Sequence, residues 1–540
     1  MCCVSGWRDS EIWQAALDCV VVLFVFFAYL LLLPEAPHGD GVRWAQALES
    51  HRIEVNPNYL LMEPIALAVY SVWEAAGLPP NGVQFEKYLD VLVGIVSLLL
   101  LNRALHMIAI SPGLRRLCVL FAAFSFNFFY LATSDHIKLL TAPFLMLTIL
   151  YLLCYFRSRR EVVLIGAGVS MGLSLCTLVN VLPWFVLLLP LLFFVTEGAL
   201  QRRTRVTLIF GASATLPSLL LLGLAYVLSA PEKKFFSWLA SYVANGSTQV
   251  VGFGGVNLLT VGRGLYAVIK NFAYSADLGP IVKALVLGIS MPPVSRDVVI
   301  LNVLACFAIS WVLIRILWWA IVSWRCLPKD DRNILLTMVT AVLGYFVFGL
   351  IWNSSEEEFW FQITAPIVLA IAVFMSRRLT HGVDNGLMAI AMVFVIANTL
   401  LTFALPRHAY PYRAYVADLS SALGMHDLLI HDGSEPVNGL VFGVNTKVPS
   451  RTIGISSALD RHGYEFATTM ASIQLDIQHT RDRGGTVYVM DLFSPHSTSH
   501  PWTLLRERFG IQKEDIASFL KSQGSYRSIE LAGQRAWVLE

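Results

Sequence analysis

The chain has 540 residues, of which 56% are hydrophobic and only 14% are charged. A soluble protein would carry about a quarter charged residues, so this composition defines a polytopic membrane protein. The net charge of +2 offers no basic surface for nucleic acid. No Walker loop, dinucleotide fingerprint or HExxH occurs, which argues against an ATP-driven pump.

The first apolar segment, 17–33, is followed by Pro34-Glu35-Ala36-Pro37-His38. That is no small-x-small cleavage site, so the segment reads as an uncleaved span. A span needs about 20 mostly apolar residues. Further segments of this kind are 88–110, 117–132, 139–156, 162–179, 182–196, 206–228, 298–322, 333–352, 361–376 and 386–405. Asn180 and Pro183 mark a tight turn inside the long stretch 162–196. The expectation is about eleven spans within a membrane domain of residues 1–407.

Orientation follows from basic residues in short loops. Arg115-Arg116, Arg157/Arg159/Arg160, Arg202/Arg203/Arg205, Arg325/Lys329/Arg332 and Arg377-Arg378 fall on alternate connections. This puts the N-terminus inside and the loops 34–87 and 229–297 outside, together with the tail. In the first outer loop, Gly41–His51 forms a short amphipathic helix with Trp44, Ala45, Ala47 and Leu48 on one side. Tyr59–Ala76 is apolar enough to span, but a span there would reverse every later loop. It is therefore expected to lie flat in the interface, with Tyr70 and Trp73 at headgroup level. The second large outer loop, with Gly252, Gly254, Gly255 and Pro292-Pro293, is expected to hold another re-entrant or interfacial piece.

From residue 408 to 540 the pattern is that of a small α/β domain. Strands are expected at Leu440–Val444, Thr452–Ile455 and Thr486–Asp491, helices at 463–482 and 513–522, and a closing hairpin at Arg527–Leu531 with Ala536–Leu539. None of the eight cysteines lies in the first outer loop or the tail, so no disulfide framework is available.

Ionisable residues just outside a bilayer tend to be where chemistry or transport happens. Asp40 follows the first span and can act as a general base toward a hydroxyl or amine, or bind a divalent cation, with His38 beside it; a lone loop aspartate is also an ordinary solvated residue. Thr133-Ser134-Asp135-His136-Ile137-Lys138 is a short outer turn with three ionisable residues. Lys138 and His136 would attract an anionic headgroup there, while Asp135 would orient an acceptor or metal. Glu356-Glu357-Glu358 precedes the span containing Pro366, either as a site or as a charged cap on a helix N-terminus. Ser494, His496 and His500 follow the strand end at Asp491, where Pro495 and Pro501 argue for a loop rather than a helical metal pair.

Together these segments resemble the GT-C superfamily of integral-membrane glycosyltransferases, which includes protein O-mannosyltransferases and lipid A aminoarabinose transferases. Asp40 matches the acidic residue of that family's first outer loop. Asn56-Pro57-Asn58-Tyr59-Leu60-Leu61-Met62-Glu63-Pro64 is similar to its His-x-Leu-Tyr-x-Pro segment, with Asn56 in place of His. Asp135 matches its second acidic residue, and Glu358-Phe359-Trp360-Phe361 with Pro366 its late pattern. The paired acidic residues of several subfamilies are here Asp40-Gly41, and the late arginine-tyrosine pair is not present.

The resemblance implies a polytopic α-helical GT-C-like fold and transfer of a sugar from a polyprenyl-phosphate donor. The acceptor would be a glycan, lipid or protein at the extracytoplasmic face of a bacterial inner membrane. Asp40 would be the base, with Asp135 the second catalytic residue. Lys138, His136, Arg43 or Arg263 would meet the phosphate, and His38, Tyr59, Glu63, Glu357 and Glu358 would line the pocket. A divalent metal, if used, would sit on Asp40 and Asp135. The competing expectations are a transporter or lipid flippase, to which Asn180, Pro183 and Arg315 within apolar stretches would belong, and a non-catalytic scaffold.

Overall fold

The computed structural model describes residues 5–37, 39–53, 59–108, 110–229, 234–238, 258–275, 278, 295–351, 360–377, 382–410, 412–432, 451–490, 510–531 and 534–540. The chain divides into two compact units. The first comprises 1–33, 47–242 and 253–408; the second comprises 34–46, 243–252 and 409–540.

The helices run α1 (Ser5–Leu31), α2 (Gly39–Glu49), α3 (Met62–Ala75), α4 (Gly82–Ile108), α5 (Pro112–Ala123), α6 (Phe126–Ala132), α7 (Thr141–Ser158), α8 (Val162–Thr177), α9 (Leu182–Val195) and α10 (Leu200–Ser229). They continue as α11 (Leu258–Lys270), α12 (Arg296–Ser323), α13 (Lys329–Ile351), α14 (Thr364–Arg377) and α15 (Gly382–Asn398). A π-helical turn, Thr399–Ala404, joins α15 to the short α16 (Leu405–His408). Among the described residues, seven helical segments are long and apolar enough to cross a membrane, or eight if the bent pair α5–α6 is one span. Three shorter apolar helices lie at 162–177, 179–195 and 361–377. Leu219, Leu220 and Leu224 of α10 and Ile314, Leu317 and Trp318 of α12 are exposed. Such apolar exposure is what a lipid-facing surface requires. The chain is an integral multi-pass membrane protein.

Small residues set the closest helix contacts. A Cβ on Gly168 of α8 would lie 2.6 Å from the Phe210 carbonyl of α10, and one on Gly172 would meet the Ala214 carbonyl. A Cβ on Gly344 of α13 would lie 2.6 Å from the Trp184 nitrogen of α9. Without a hydrophobic drive between helices in lipid, such close backbone approach is what binds them.

The basic loops meet acids at one end of this unit. Arg115 and Arg116 pair with Asp18, Arg159 with Asp330, Arg205 with Glu161, Lys329 with Glu197 and Arg377 with Asp331. Arg159 ends α7, so the start of that 18-residue helix lies about 27 Å away at 1.5 Å per residue. That far end carries the candidate site.

Two expected spans are irregular. The stretch 117–132 breaks between α5 and α6 with a 67° bend. There the freed N–H groups of Phe126 and Asn127 donate to the carbonyls of Phe272 and Asn271, at 3.0 and 3.1 Å. The stretch 386–405 passes through the π turn. In addition, α4 begins at Gly82, ahead of the expected 88.

In the second unit, α17 (Tyr412–Ala422) precedes β1 (Leu428–His431), β2 (Arg451–Gly454), α18 (Ile455–Arg461), α19 (Phe466–Asp482), β3 (Val487–Met490), α20 (Lys513–Ser522), β4 (Tyr526–Leu531) and β5 (Gln534–Leu539). The strand order is β2-β1-β3-β5-β4. β1 runs parallel to both β2 and β3, with Ile430 opposite Ile453 and Val489, and β5 is antiparallel to β3 and β4. Alternation divides the strands between two cores. Leu428, Ile430, Val487 and Val489 pack with Met470, Ile473 and Ile477 of α19 and with Ile516 and Leu520 of α20. Leu429, Met490 and Ala536 pack with Val416 and Leu419 of α17. The strand expected at 440–444 and the Ser494–His500 loop lie outside the described residues.

Candidate functional site

Glu86, Lys87 and Asp90 sit near the start of α4, and the helical repeat places Glu86 and Asp90 on one face. Both carboxylates are 0% exposed and Lys87 is 6% exposed. Charges so deep in an apolar helix are costly and mark function by default. Sequence reading passed over them because they open a span; their signal was two acids one helical turn apart.

The Asp135 turn is not the surface connector its composition suggests. Every residue from Leu131 to Leu140 is buried. Its backbone is held by Asp90, whose Oδ2 accepts the N–H groups of His136 at 3.0 Å and Ile137 at 3.1 Å. Ile137 has φ +41°, a strained conformation for a β-branched residue. Such strain persists only where surroundings over-determine it; here the Asp90 carboxylate and the burial of the turn do so. Lys138 then opens a 3₁₀ turn into α7.

This arrangement gathers an acidic cluster. Asp135, Asp90, Glu49 and Glu63 all lie within electrostatic range of Glu86. Glu63 is buried in the first turn of α3, and the N–H of the preceding Leu61 donates to the Cys176 carbonyl at 2.9 Å. Lys87 and Lys138 are the buried cations of the same elements.

On the other side of the turn, the Tyr130 hydroxyl lies 3.2 Å from His136 Nε2. Thr133 Oγ1 donates to the Phe129 carbonyl at 2.8 Å and accepts from Arg407 Nη1 at 3.3 Å. The Arg407 guanidinium carbon lies 5.0 Å from the Tyr130 ring centroid and 5.4 Å from that of Phe403. Phe126, Tyr274 and Phe403 form an aromatic wall, with centroids 4.9 to 5.1 Å apart. Next to the backbone anchor at 271–272, burial lowers the Lys270 ammonium to about 8.

Of the residues singled out by sequence, Asp135, His136, Lys138 and Glu63 thus belong to the first unit's buried end. Tyr59 is half-buried just ahead of α3, and Arg263 is exposed on α11. Asp40 and Arg43 lie on α2 in a segment of the second unit, with Arg43 exposed. His38, Glu357, Glu358 and the side chain of Asp40 lie outside the described residues. Among the described residues, no three His, Cys, Asp or Glu side chains converge as metal ligands.

No protein-family model and no curated protein matches the sequence. Its fold does match solved structures. ArnT from Cupriavidus metallidurans, bound to undecaprenyl phosphate, is 11% identical at a TM-score of 0.53, covering 99% of this chain and 98% of that one. The oligosaccharyltransferase AglB from Archaeoglobus fulgidus, in complex with an inhibitory peptide and a dolichol-phosphate, is 12% identical at a TM-score of 0.51, covering 98% and 74%. Both are GT-C glycosyltransferases. The chain has the GT-C fold.

Proposed function

We propose that this chain is a membrane glycosyltransferase that moves a sugar from a polyprenyl-phosphate donor to a glycan, lipid or protein acceptor. The observation that carries the reading is the buried Asp135 turn, with carboxylates and cations set into one end of a GT-C bundle. The lipid phosphates bound by ArnT and AglB support the donor class.

In this reading the acceptor hydroxyl or amine attacks the anomeric carbon, and Asp40 takes its proton. The bond from that carbon to the phosphate oxygen breaks, the lipid phosphate leaves, and the configuration inverts. Asp135 orients the acceptor. Lys138 and His136, with Arg43 or Arg263 contributing from their own elements, neutralise the charge that develops on the leaving phosphate. Tyr59 and Glu63 line the pocket, as would His38, Glu357 and Glu358. A divalent cation enters the proposal only as a ligand of Asp40 and Asp135.

The basic loops share one end of the first unit, which supports a cytoplasmic placement for that end under the positive-inside rule. The proposal is then about eleven spans, a cytoplasmic N-terminus, and a periplasmic tail in a bacterial inner membrane. Buried Glu86 and Asp90 in a span are what a transporter reading would use, and the transfer assay decides between them. Purified wild type and Asp40→Asn are given membrane lipid extract carrying radiolabelled polyprenyl-phosphate sugars. Label reaching a new acceptor with wild type alone supports the enzyme and its base. Equal transfer by both removes Asp40 from the mechanism, and no transfer by folded wild type across several donors moves the reading to a transporter or scaffold.

A further inference from the structure

We propose that Arg407 binds the phosphate of the lipid-linked donor, in an anion site built by the π-helical turn at the end of α15. The inference rests on the functional reading above and adds a residue to its donor site. It starts from the backbone. A π turn closes i→i+5 bonds and takes up one extra residue, which rotates everything downstream by roughly 100°, the angle one residue subtends. The turn is held from within. Asn398 Nδ2 donates to Asn302 Oδ1 of α12 at 2.7 Å and to Thr402 Oγ1 at 3.2 Å, and Thr402 Oγ1 donates to the Asn398 carbonyl at 2.7 Å. Such interruptions cluster at functional positions.

The consequence is the placement of Phe403 and Arg407, four residues apart and on one face. Phe403 joins the aromatic wall with Phe126 and Tyr274. Arg407 comes to rest against Tyr130 and Phe403 and, among the described residues, makes one hydrogen bond, to Thr133 at 3.3 Å. A guanidinium has five N–H donors in a rigid fork. Among the described residues Arg407 makes no ion pair with a carboxylate, although Asp135 lies within its electrostatic range. A half-buried cation with aromatic faces, most of whose donors are unspent among the described residues, is suited to a planar or tetrahedral oxyanion. The aromatic wall and the end of an apolar helix favour an anion that arrives on a lipid. Lys138 and His136 lie on the same turn as the Thr133 that Arg407 touches, so the leaving phosphate would meet all three.

The test uses the full chain in detergent and three probes: undecaprenyl phosphate, undecaprenol and inorganic phosphate. Wild type should bind the lipid phosphate more tightly than the alcohol. Arg407→Gln should lose roughly ten- to hundredfold in affinity for the lipid phosphate, the worth of a charged hydrogen bond or two, with affinity for the alcohol unchanged. Arg407→Lys keeps the charge without the fork and should fall between them; it carries the test if Arg407→Gln elutes as aggregate. Equal lipid-phosphate binding by wild type and the folded variants overturns the assignment while leaving the glycosyltransferase reading in place. An Arg407-dependent site that takes inorganic phosphate as tightly as the lipid overturns the lipid source. Wild type that does not distinguish lipid phosphate from alcohol removes both this inference and the donor class on which it rests.

Discussion

The Asp90 carboxylate accepts the backbone N–H of His136 at 3.0 Å, across 46 residues of chain. With the second bond, to Ile137, one buried acid at the start of α4 fixes the shape of the turn that presents Asp135. The side chain that holds this turn is thus one that need not touch substrate.

Asp90→Ala leaves two buried N–H groups without their acceptor. A buried donor left unsatisfied costs about 1–3 kcal/mol, and Ile137 would be free to leave its strained φ. Glycosyl transfer should fall by roughly tenfold or more and thermal stability in detergent should drop. Asp90→Asn keeps one acceptor oxygen and should recover part of both. Unchanged activity in Asp90→Ala would mean that the turn is held by its burial alone.

Asp135 and Lys138 should separate kinetically. Asp135→Asn removes an orienting charge and should lower kcat by roughly a hundredfold, the low end of general acid–base effects, with little change in KM. Lys138→Ala should raise the donor KM through weaker phosphate binding. Steady-state kinetics with a synthetic polyprenyl-phosphate sugar would show this split; a reversed pattern would exchange the two roles.

The legibility of the chain divides along physical lines. Apolar runs long enough to cross a bilayer are fixed by composition, and helices stand on each of them. The strands β2 and β3 and the closing hairpin fall on alternating apolar residues with clear turns. β1 escapes the pattern because Leu428–Ile430 is a short apolar run, ended by His431, that periodicity cannot tell from a helix. Within the site, Asp135, His136 and Lys138 stood out because charges are rare between spans. Their burial, and the service of Asp90 to them, depends on contacts across 46 residues. Arg407 was hidden for another reason. Nothing in Thr399–Ala404 announces a π turn, and without that turn Arg407 reads as the last residue before the tail.

The close helix contacts predict a packing defect. Gly344→Ala places a methyl group 2.6 Å from a backbone nitrogen of α9, which cannot yield as a flexible side chain would. Overpacking of this kind costs about 1–3 kcal/mol, so the unfolding midpoint in detergent should fall by several degrees. Gly113→Ala on α5, where nothing lies within 4 Å, should leave it unchanged and serves as the control.

The second unit carries a pH dependence of defined sign. His431 ends β1 and is 2% exposed, and burial lowers its imidazole to about 4, only partly offset by neighbouring Asp432. In the folded state it is therefore neutral at pH 6, whereas the unfolded chain takes up its proton at the ordinary value near 6.5. Between those values the unfolded state binds more protons, so stability rises with pH across this window. Conversely, it declines as pH falls from about 6.5 toward 4 and levels off below, for a total of about 3 kcal/mol at 1.36 kcal/mol per unit. Hydrogen exchange of the β1 and β3 peptides in the full chain, corrected for intrinsic rates, should lose about two decades of protection over that range. His431→Asn, which cannot titrate, should flatten the His431 component of the profile. Protection that stays level in wild type down to pH 4 would mean that the imidazole finds a charged form that the fold accommodates.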